Sequence, residues 1–422
     1  MSKPKRLPRW LHILGPGLIT GAADDDPSGI ATYSQAGAAF GYGQLWTLTL
    51  CLPLMMAVQE AAARIGRVTG QGLAQVTARR FPRPVLVAVV ALVVVANTIN
   101  IAADIAAVGA ALQLLVPLPI AVLSVVFTLI VTLLQVFIGY HEYAKGLKLL
   151  ALALLAYVAT ALMVAEPWGE ILQATFVPRL QFDTAYLYVI VGILGTTISP
   201  YMFFWQAAEE VEERDYADKM HLARRTMGQL RTDNAVGMGV SQLGSWFMMV
   251  TTATVLHANG VTNIATAADA ARALEPLVHT FPHAGTWAKA IFALGVIGMG
   301  MLGIPVLAGS ASYAVAEAAG WRKGLERKPA EAKGFYAVIV VSIALGLGIT
   351  LAGIDPMKSL VFAAVLNGVV AVPLVLLIAR IARDPQVMGR DASGRLSRTM
   401  LAAAFVVMAV SALALFASLW RG

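Results

Sequence analysis

Asp24-Asp25-Asp26-Pro27-Ser28-Gly29 interrupts a stretch that is otherwise largely apolar from Leu11 to Phe40. A carboxylate at bilayer depth costs ~2.5–3.5 kcal/mol on insertion scales, and such residues mark ion or substrate pathways. Pro27 and Gly29 also break a helix at that point, and broken backbone at membrane depth is tolerated only where protein or a cavity surrounds it. A membrane helix interrupted by acids therefore reads as a cation site.

The composition places the rest of the chain in the same setting. Hydrophobic residues make up 58% and charged residues 13% of the 422, and the mean hydropathy is +0.73. Soluble domains carry about 25% charged residues, so the chain is expected to be an all-α polytopic membrane protein. Segmenting at charged, Gly and Pro clusters, with roughly 20 residues per crossing, gives eleven spans. They lie near 11–37, 43–66, 84–112, 119–139, 143–165, 184–208, 232–257, 286–319, 334–353, 358–380 and 398–420.

Basic residues test that count, because cytoplasmic loops collect Lys and Arg. With the N-terminus placed inside, 26 of the 31 basic residues fall in inside segments, leaving Arg179, Arg272, Lys289, Lys358 and Arg421 outside. The expected topology is thus a cytoplasmic N-terminus, an extracytoplasmic C-terminus and a plasma membrane location, the inner membrane if the source is bacterial. The net charge of +7 then belongs to loops at a lipid surface, and no nucleic-acid partner is expected. The basic start runs into Gly15-Pro16-Gly17 without a small-residue cleavage site, so the first span is expected to be retained. Cys51 lies alone in span 2 and reads as packing.

Span 6 carries a second interruption, Gly192-Ile193-Leu194-Gly195-Thr196-Thr197-Ile198-Ser199-Pro200-Tyr201. Five spans separate it from the first. Paired broken helices at corresponding positions of two halves point to a transporter's midplane site, with unwound carbonyls facing a cation. The halves are expected at 11–165 and 184–380, with 398–420 as an added helix, all within one transport domain.

Gly15-Pro16-Gly17, Asp26-Pro27-Ser28-Gly29 with Ala31-Thr32, Ala62-Ala63-Arg64 with Gly66 and Val68-Thr69-Gly70, and Gly192 to Tyr201 together resemble the NRAMP divalent-metal transporters. Asp104 in span 3 and Leu307-Ala308-Gly309 in span 8 extend the likeness over most of the chain. The resemblance implies a LeuT-like fold of 5+5 inverted repeats with discontinuous helices 1 and 6, and import of a transition metal coupled to protons. It also implies a ligand set drawn from spans 1, 6 and 10, here Asp26, Gly29, Thr196, Thr197, Ser199, Tyr201 and Asn367.

Departures from the family pattern are informative. The family's Asp-Pro-Gly-Asn is Asp26-Pro27-Ser28-Gly29 here, and its Met-Pro-His is Ser199-Pro200-Tyr201, so an amide, a thioether and an imidazole are gone. Oxygen donors suit Mg, Ca and Mn, whereas thioether favours softer metals. Small residues also leave room for the waters that Mg²⁺ retains. The pattern resembles the NRAMP-related magnesium transporter branch. The proton machinery implied by the family is thinned: Asn97 and Ala107 stand where glutamates are frequent, Tyr201 keeps its proton far above neutral pH, and span 9 has no Arg, Lys or His. Weakly coupled or uncoupled import of Mg²⁺, and also of Mn²⁺, is expected; no enzyme activity, bound cofactor or obligatory protein partner is.

Structural alternatives stand beside each reading. Asp26 may serve as a helix cap as well as a ligand. Asp24 and Asp25 either line an outer vestibule or pair with a neighbour, and Asp104 is either a relay or a buried acid satisfied locally. The hydroxyls of Thr196, Thr197 and Ser199 can instead bond carbonyls one turn back. Glu209, Glu210, Glu212 and Glu213 read first as a solvated helix end and second as an inner acidic vestibule. His141, Glu142, Lys145 and Lys148 read as a turn anchoring span 5. His257, His279 and His283 lack zinc-site spacing, and the span 8 glycines, Gly295 to Gly303, read as close helix packing. A LeuT-like carrier of an organic solute is the rival function, disfavoured because three acids would repel a substrate carboxylate.

Overall fold

The computed structural model describes residues 16–138, 155–164, 167–219, 226–280 and 282–421. Span 1 is two helices, α1 (Pro16–Asp24) and α2 (Pro27–Phe40), and span 2 is α3 (Leu45–Thr69). A short α4 (Leu73–Arg80) leads into α5 (Arg83–Gln113), which is span 3, and α6 (Ile120–Phe137), which is span 4. Then come α7 (Leu155–Met163) and α8 (Trp168–Phe176), and span 6 as α9 (Thr184–Thr197) and α10 (Pro200–Lys219). Span 7 is α11 (Met227–Val255), and α12 (Ala267–Ala271) lies in the following connection. Spans 8 to 11 are α13 (Ala284–Ala319), α14 (Lys333–Leu351), α15 (Pro356–Ala382) and, after α16 (Pro385–Met388), α17 (Arg395–Arg421).

Eight described helical stretches are long and apolar enough to cross a membrane. They match the expected spans except where chemistry intervenes. The stretch 27–69 joins the second half of span 1 to span 2. Span 7 is a 29-residue helix whose Asp233, Asn234, Ser241, Gln242 and Ser245 are all buried, because they face protein rather than lipid. Of span 5 only α7 is described. The start of span 1, the His141 to Lys148 turn and the basic residues Lys3 to Arg9 lie outside the described residues.

Both expected breaks are present. Asp25 and Asp26 separate α1 from α2, and Ile198 and Ser199 separate α9 from α10. Each second half opens on a proline, Pro27 and Pro200, whose missing N–H and fixed φ suit the first helical position. Elsewhere the helix ends are conventional. Asp183 caps α9, Asp355 caps α15, and Thr226 with Gln229 forms a capping box on α11. Gly70, at φ 64°, closes α3 in the left-handed region with its N–H on Gly66 O.

Helix order dictates the packing. α11 lies along both α1 and α2 and also against α3; α10 lies along α3; α9 lies along α15. α5 is central, packed on α13, α14 and α15, while α17 covers α15, α9 and α3 from outside. Close approach depends on missing side chains. A Cβ on Gly195 would overlap the backbone of Ala364 and Gly368, and one on Gly17 would sit 2.8 Å from Asn234 N. Polar bonds then join spans across apolar surfaces: Asn97 Nδ2 donates to Leu307 O at 2.8 Å, and Gln135 Nε2 to Pro305 O at 3.0 Å.

At one end of the bundle Arg64, 2% exposed, ties three elements together. Its Nε donates to Glu60 at 3.0 Å, one terminal nitrogen to Asp391 O at 2.5 Å and the other to Ser393 Oγ at 3.0 Å. Glu60 also accepts from Arg231 of α11 at 3.1 Å. Removing one member of a buried charged set strands its partners. Arg64→Leu is expected to lower stability by about 3 kcal/mol, read as thermal unfolding in detergent. Arg80 and Asp384 form a more exposed pair at 2.5 Å, and the Arg80 guanidinium holds the Asp384 carboxyl below its usual value of 3.8. A depressed folded pKa contributes stability above the unfolded value and loses it as pH falls through the folded one. Asp384→Asn should therefore shift unfolding equally at pH 6 and pH 8, about as little as exposed pairs contribute.

Candidate metal site between spans 1, 3, 6 and 8

The break in span 1 builds the site. Asp26 adopts the extended backbone of a helix cap, and its Oδ1 accepts from Gly29 N at 2.9 Å and Ser28 Oγ at 2.6 Å. The capping reading is therefore observed. It uses one carboxylate oxygen and turns the other toward the break in span 6, where Tyr201 OH donates to Oδ2 at 3.1 Å. Tyr201 OH also lies 3.3 Å from Ala23 O at the end of α1.

Gly29 and Thr196 complete that side. A Cβ built on Gly29 would lie 3.1 Å from Thr196 Oγ1, so the missing side chain lets the two broken helices close on each other. On the opposite side stands Gly303 of α13. A Cβ there would lie 3.2 Å from Asp26 Cβ and 3.6 Å from Asp104 Oδ2, so the missing side chain lets both acidic residues pack against α13 at one point. Asp104 is fully buried, and both its oxygens lack a hydrogen-bond partner among the described residues. The alternative of a locally satisfied acid is thereby corrected.

Other expected site residues go elsewhere. Ser199 Oγ points back along α9 to Gly195 O at 2.8 Å and Thr196 O at 2.7 Å. Thr197 Oγ1 meets Tyr33 OH at 2.9 Å. Asn367 is engaged in a reciprocal amide pair with Asn100, at 2.9 and 3.1 Å, and does not reach the Asp26 cluster. Asp24 Oδ2 accepts from Ser241 Oγ at 2.7 Å and Asp25 Oδ1 from Ser245 Oγ at 2.9 Å. Both acids are buried, so they pair with α11 and line no open vestibule here. With the helix broken between them and Asp26, the three consecutive acids face two directions.

The solvated reading of the span 6 terminus also fails in part. Glu209 and Glu210 are buried, and Glu212 accepts from Tyr313 OH and from Leu325 N. Gln206 Nε2 donates to Glu210 at 3.3 Å. Cys51 is buried and free, as packing required. His257 bonds Ala38 O and His279 bonds Pro276 O; among the described residues no three His, Cys, Asp or Glu side chains form a metal cluster.

Pro27, Ile30, Ala107, Phe292 and Leu360 line a cleft of about 20 Å³, room for roughly one water. Sequence reading missed Gly303, Asn100, Tyr33 and the Ser241/Ser245 pair. The two serines carried a signal, being four residues apart on one helix face. Gly303 carried none, because its role is the space it leaves.

Residues 17–418 match the family described as Nramp, natural resistance-associated macrophage protein-like. The chain belongs to that family. It is 30% identical over 289 residues to the divalent metal cation transporter MntH of Chromohalobacter salexigens, covering 66% of this chain and 64% of that protein. Its match to MntH of Yersinia pestis is 32% over 308 residues, 69% of each. Among solved structures, a manganese transporter of Eremococcus coleocola superposes with a TM-score of 0.76 at 16% identity, covering 98% of this chain and 88% of that one. MhsT in complex with L-phenylalanine superposes at 0.62 with 12% identity, covering 95% and 98%. These solved structures share the LeuT-like fold that the family resemblance implied.

Asp26 has two separable contributions in this Nramp chain. Asp26→Asn keeps an Oδ1 acceptor for Gly29 N and should leave stability nearly unchanged, whereas Asp26→Ala should lose about 1 kcal/mol with the cap. Paired thermal unfolding curves of the two variants check this.

Proposed function

We propose that the protein carries divalent cations, Mg²⁺ first and also Mn²⁺, as partly hydrated ions by alternating access, with weak or no proton coupling. The observation that carries this reading is Asp104: a buried carboxylate without a partner among the described residues, lying against Gly303, which Asp26 also approaches. Two acids taken out of water repel each other and are costly unless a cation compensates them. A divalent ion beside Asp26 would draw on the Asp26 and Asp104 carboxylates and on the nearby Thr196 and Tyr201 hydroxyls. All these donors are oxygen, which suits Mg²⁺ and Mn²⁺ over softer ions. Gly29 and Gly303 leave space that retained waters would fill.

The remaining expected ligands take part in other steps under this reading. Ser199, Thr197 and Asn367 are held by Gly195, Tyr33 and Asn100 here, and would turn toward the ion only when the broken helices shift. Asp24 and Asp25 would serve the anchoring of α1 on α11. Transport would run inward with the membrane potential, ~2.3 kcal/mol per charge per 100 mV. The basic-residue asymmetry supports a cytoplasmic N-terminus, an extracytoplasmic C-terminus and a plasma or bacterial inner membrane. The repeats would be 11–165 and 184–380, with 398–420 outside them.

A second reading has its own support. The relatives are named divalent metal cation transporter and manganese transporter, which favours proton-coupled Mn²⁺ or Fe²⁺ transport. Uptake into proteoliposomes at a set potential separates the two, comparing Mg²⁺, Mn²⁺ and Ca²⁺ with internal pH recorded. Saturable Mg²⁺ uptake competed by Mn²⁺, without acidification and abolished by Asp26→Asn, is the expected result; Mn²⁺ uptake with acidification and indifference to Mg²⁺ would refute it.

Gly303→Ala places a methyl against Asp26 Cβ and Asp104 Oδ2. Mg²⁺ uptake is expected to fall about tenfold, the scale on which displaced neighbours weaken a metal site, while the variant remains monodisperse on size exclusion.

A further inference from the structure

Away from the ion site, α15 and α17 run antiparallel, joined by residues 383–394, and pack along each other. At the joined end each helix presents the same stripe. Leu376, Ala379 and Arg380 of α15 and its C-cap Arg383 follow i, i+3, i+4, i+7 spacing, and so do Arg398, Leu401, Ala402 and Phe405 of α17. Together they line a cleft of about 340 Å³. Its guanidiniums lie toward the connecting segment and its apolar residues lie deeper along the helices.

The three arginines are exposed, and the protein does little to neutralise them. Arg380 and Arg383 make no hydrogen bond or ion pair among the described residues. Arg398 uses only Nε, on Ser393 O at 2.7 Å, leaving both terminal nitrogens unbonded. The acid nearest to Arg380 and Arg383 in the sequence, Asp384, is held by Arg80 at 2.5 Å. That pair lines a second cleft of about 420 Å³, on which Arg380 and Arg383 also border. Three like charges lining one cleft repel one another unless an anion compensates them.

We propose that this cleft binds an anionic phospholipid, its phosphate between Arg380, Arg383 and Arg398 and one acyl chain along Leu376, Leu401, Ala402 and Phe405. Guanidiniums match phosphate oxygens in pairs, and basic pockets between membrane helices take anionic headgroups. The apolar half of the cleft selects a lipid over a free phosphate or an acidic peptide, neither of which would cover it. α17 carries on with lipid-facing residues, Val406 at 53% and Val410 at 59% exposed, so an acyl chain leaving the cleft meets more apolar surface. The seat does not depend on which ion is carried.

Native mass spectrometry of the delipidated full-length protein tests the assignment, with phosphatidylglycerol and phosphatidylcholine of identical chains added in equal amounts. The wild type is expected to retain phosphatidylglycerol about tenfold over phosphatidylcholine, a little more than the contribution of one basic residue near a charged surface. The triple variant R380Q/R383Q/R398Q should lose that preference, and Ala402→Trp, which fills the apolar half and keeps every charge, should weaken it. Arg272→Gln, far from the cleft, should not. Preference persisting in the triple variant overturns the site; displacement of the lipid by millimolar inorganic phosphate, or full binding in Ala402→Trp, overturns a lipid as its occupant.

Discussion

Everything in the core of this protein turns on one carboxylate bonded on both of its sides. Asp26 caps α2 through Oδ1 and faces Tyr201 of the second broken helix through Oδ2. A capping acid at a membrane helix break has its charge set against the positive end of the helix dipole. That compensation is partial, and it is shared with Tyr201. The same geometry that makes the break tolerable in an apolar bundle therefore leaves a residual negative field beside Gly303.

Around that centre, backbones approach where side chains are missing. Gly17 meets α11 and Gly195 meets α15, so each broken helix is pressed against an unbroken one at its first half. Close approach without side chains replaces the hydrophobic drive that is weak between helices in lipid. Side-chain amides and hydroxyls then act as cross-links: Asn97 to α13, Gln135 to the same helix, Asp24 and Asp25 to α11. Polar residues in apolar spans are thus concentrated where two helices must hold a fixed register.

Much of this was legible in the residues. The two interruptions were readable because proline, glycine and acid each violate a membrane helix for a separate reason, and the breaks fall at Asp25–Asp26 and Ile198–Ser199 as the motifs required. Span 7 was located near 232–257 although its buried polar residues dilute the apolar signal, and the helix there runs from Met227 to Val255. The donor set was only half readable. Ser199 turns back to carbonyls of the preceding helix, as its hydroxyl allowed, but the direction of Thr197 and Asn367 depends on partners far along the chain, Tyr33 and Asn100. Glu209 and Glu210 looked solvent-bound for the same reason, since the helices that cover them are remote in the chain. Gly303 was recognisable as a packing glycine but not as the point where two acids meet α13.

The amide pair between Asn100 and Asn367 has a mechanical meaning. Each side chain both gives and receives, so the two bonds form a closed ring joining α5 to α15 at a single level of the bundle. A slide of one helix past the other by a single residue would break both bonds at once, while a tilt about that level stretches neither much. The ring therefore behaves as a pivot: it leaves α15 free to rock against α5 and forbids it to slip.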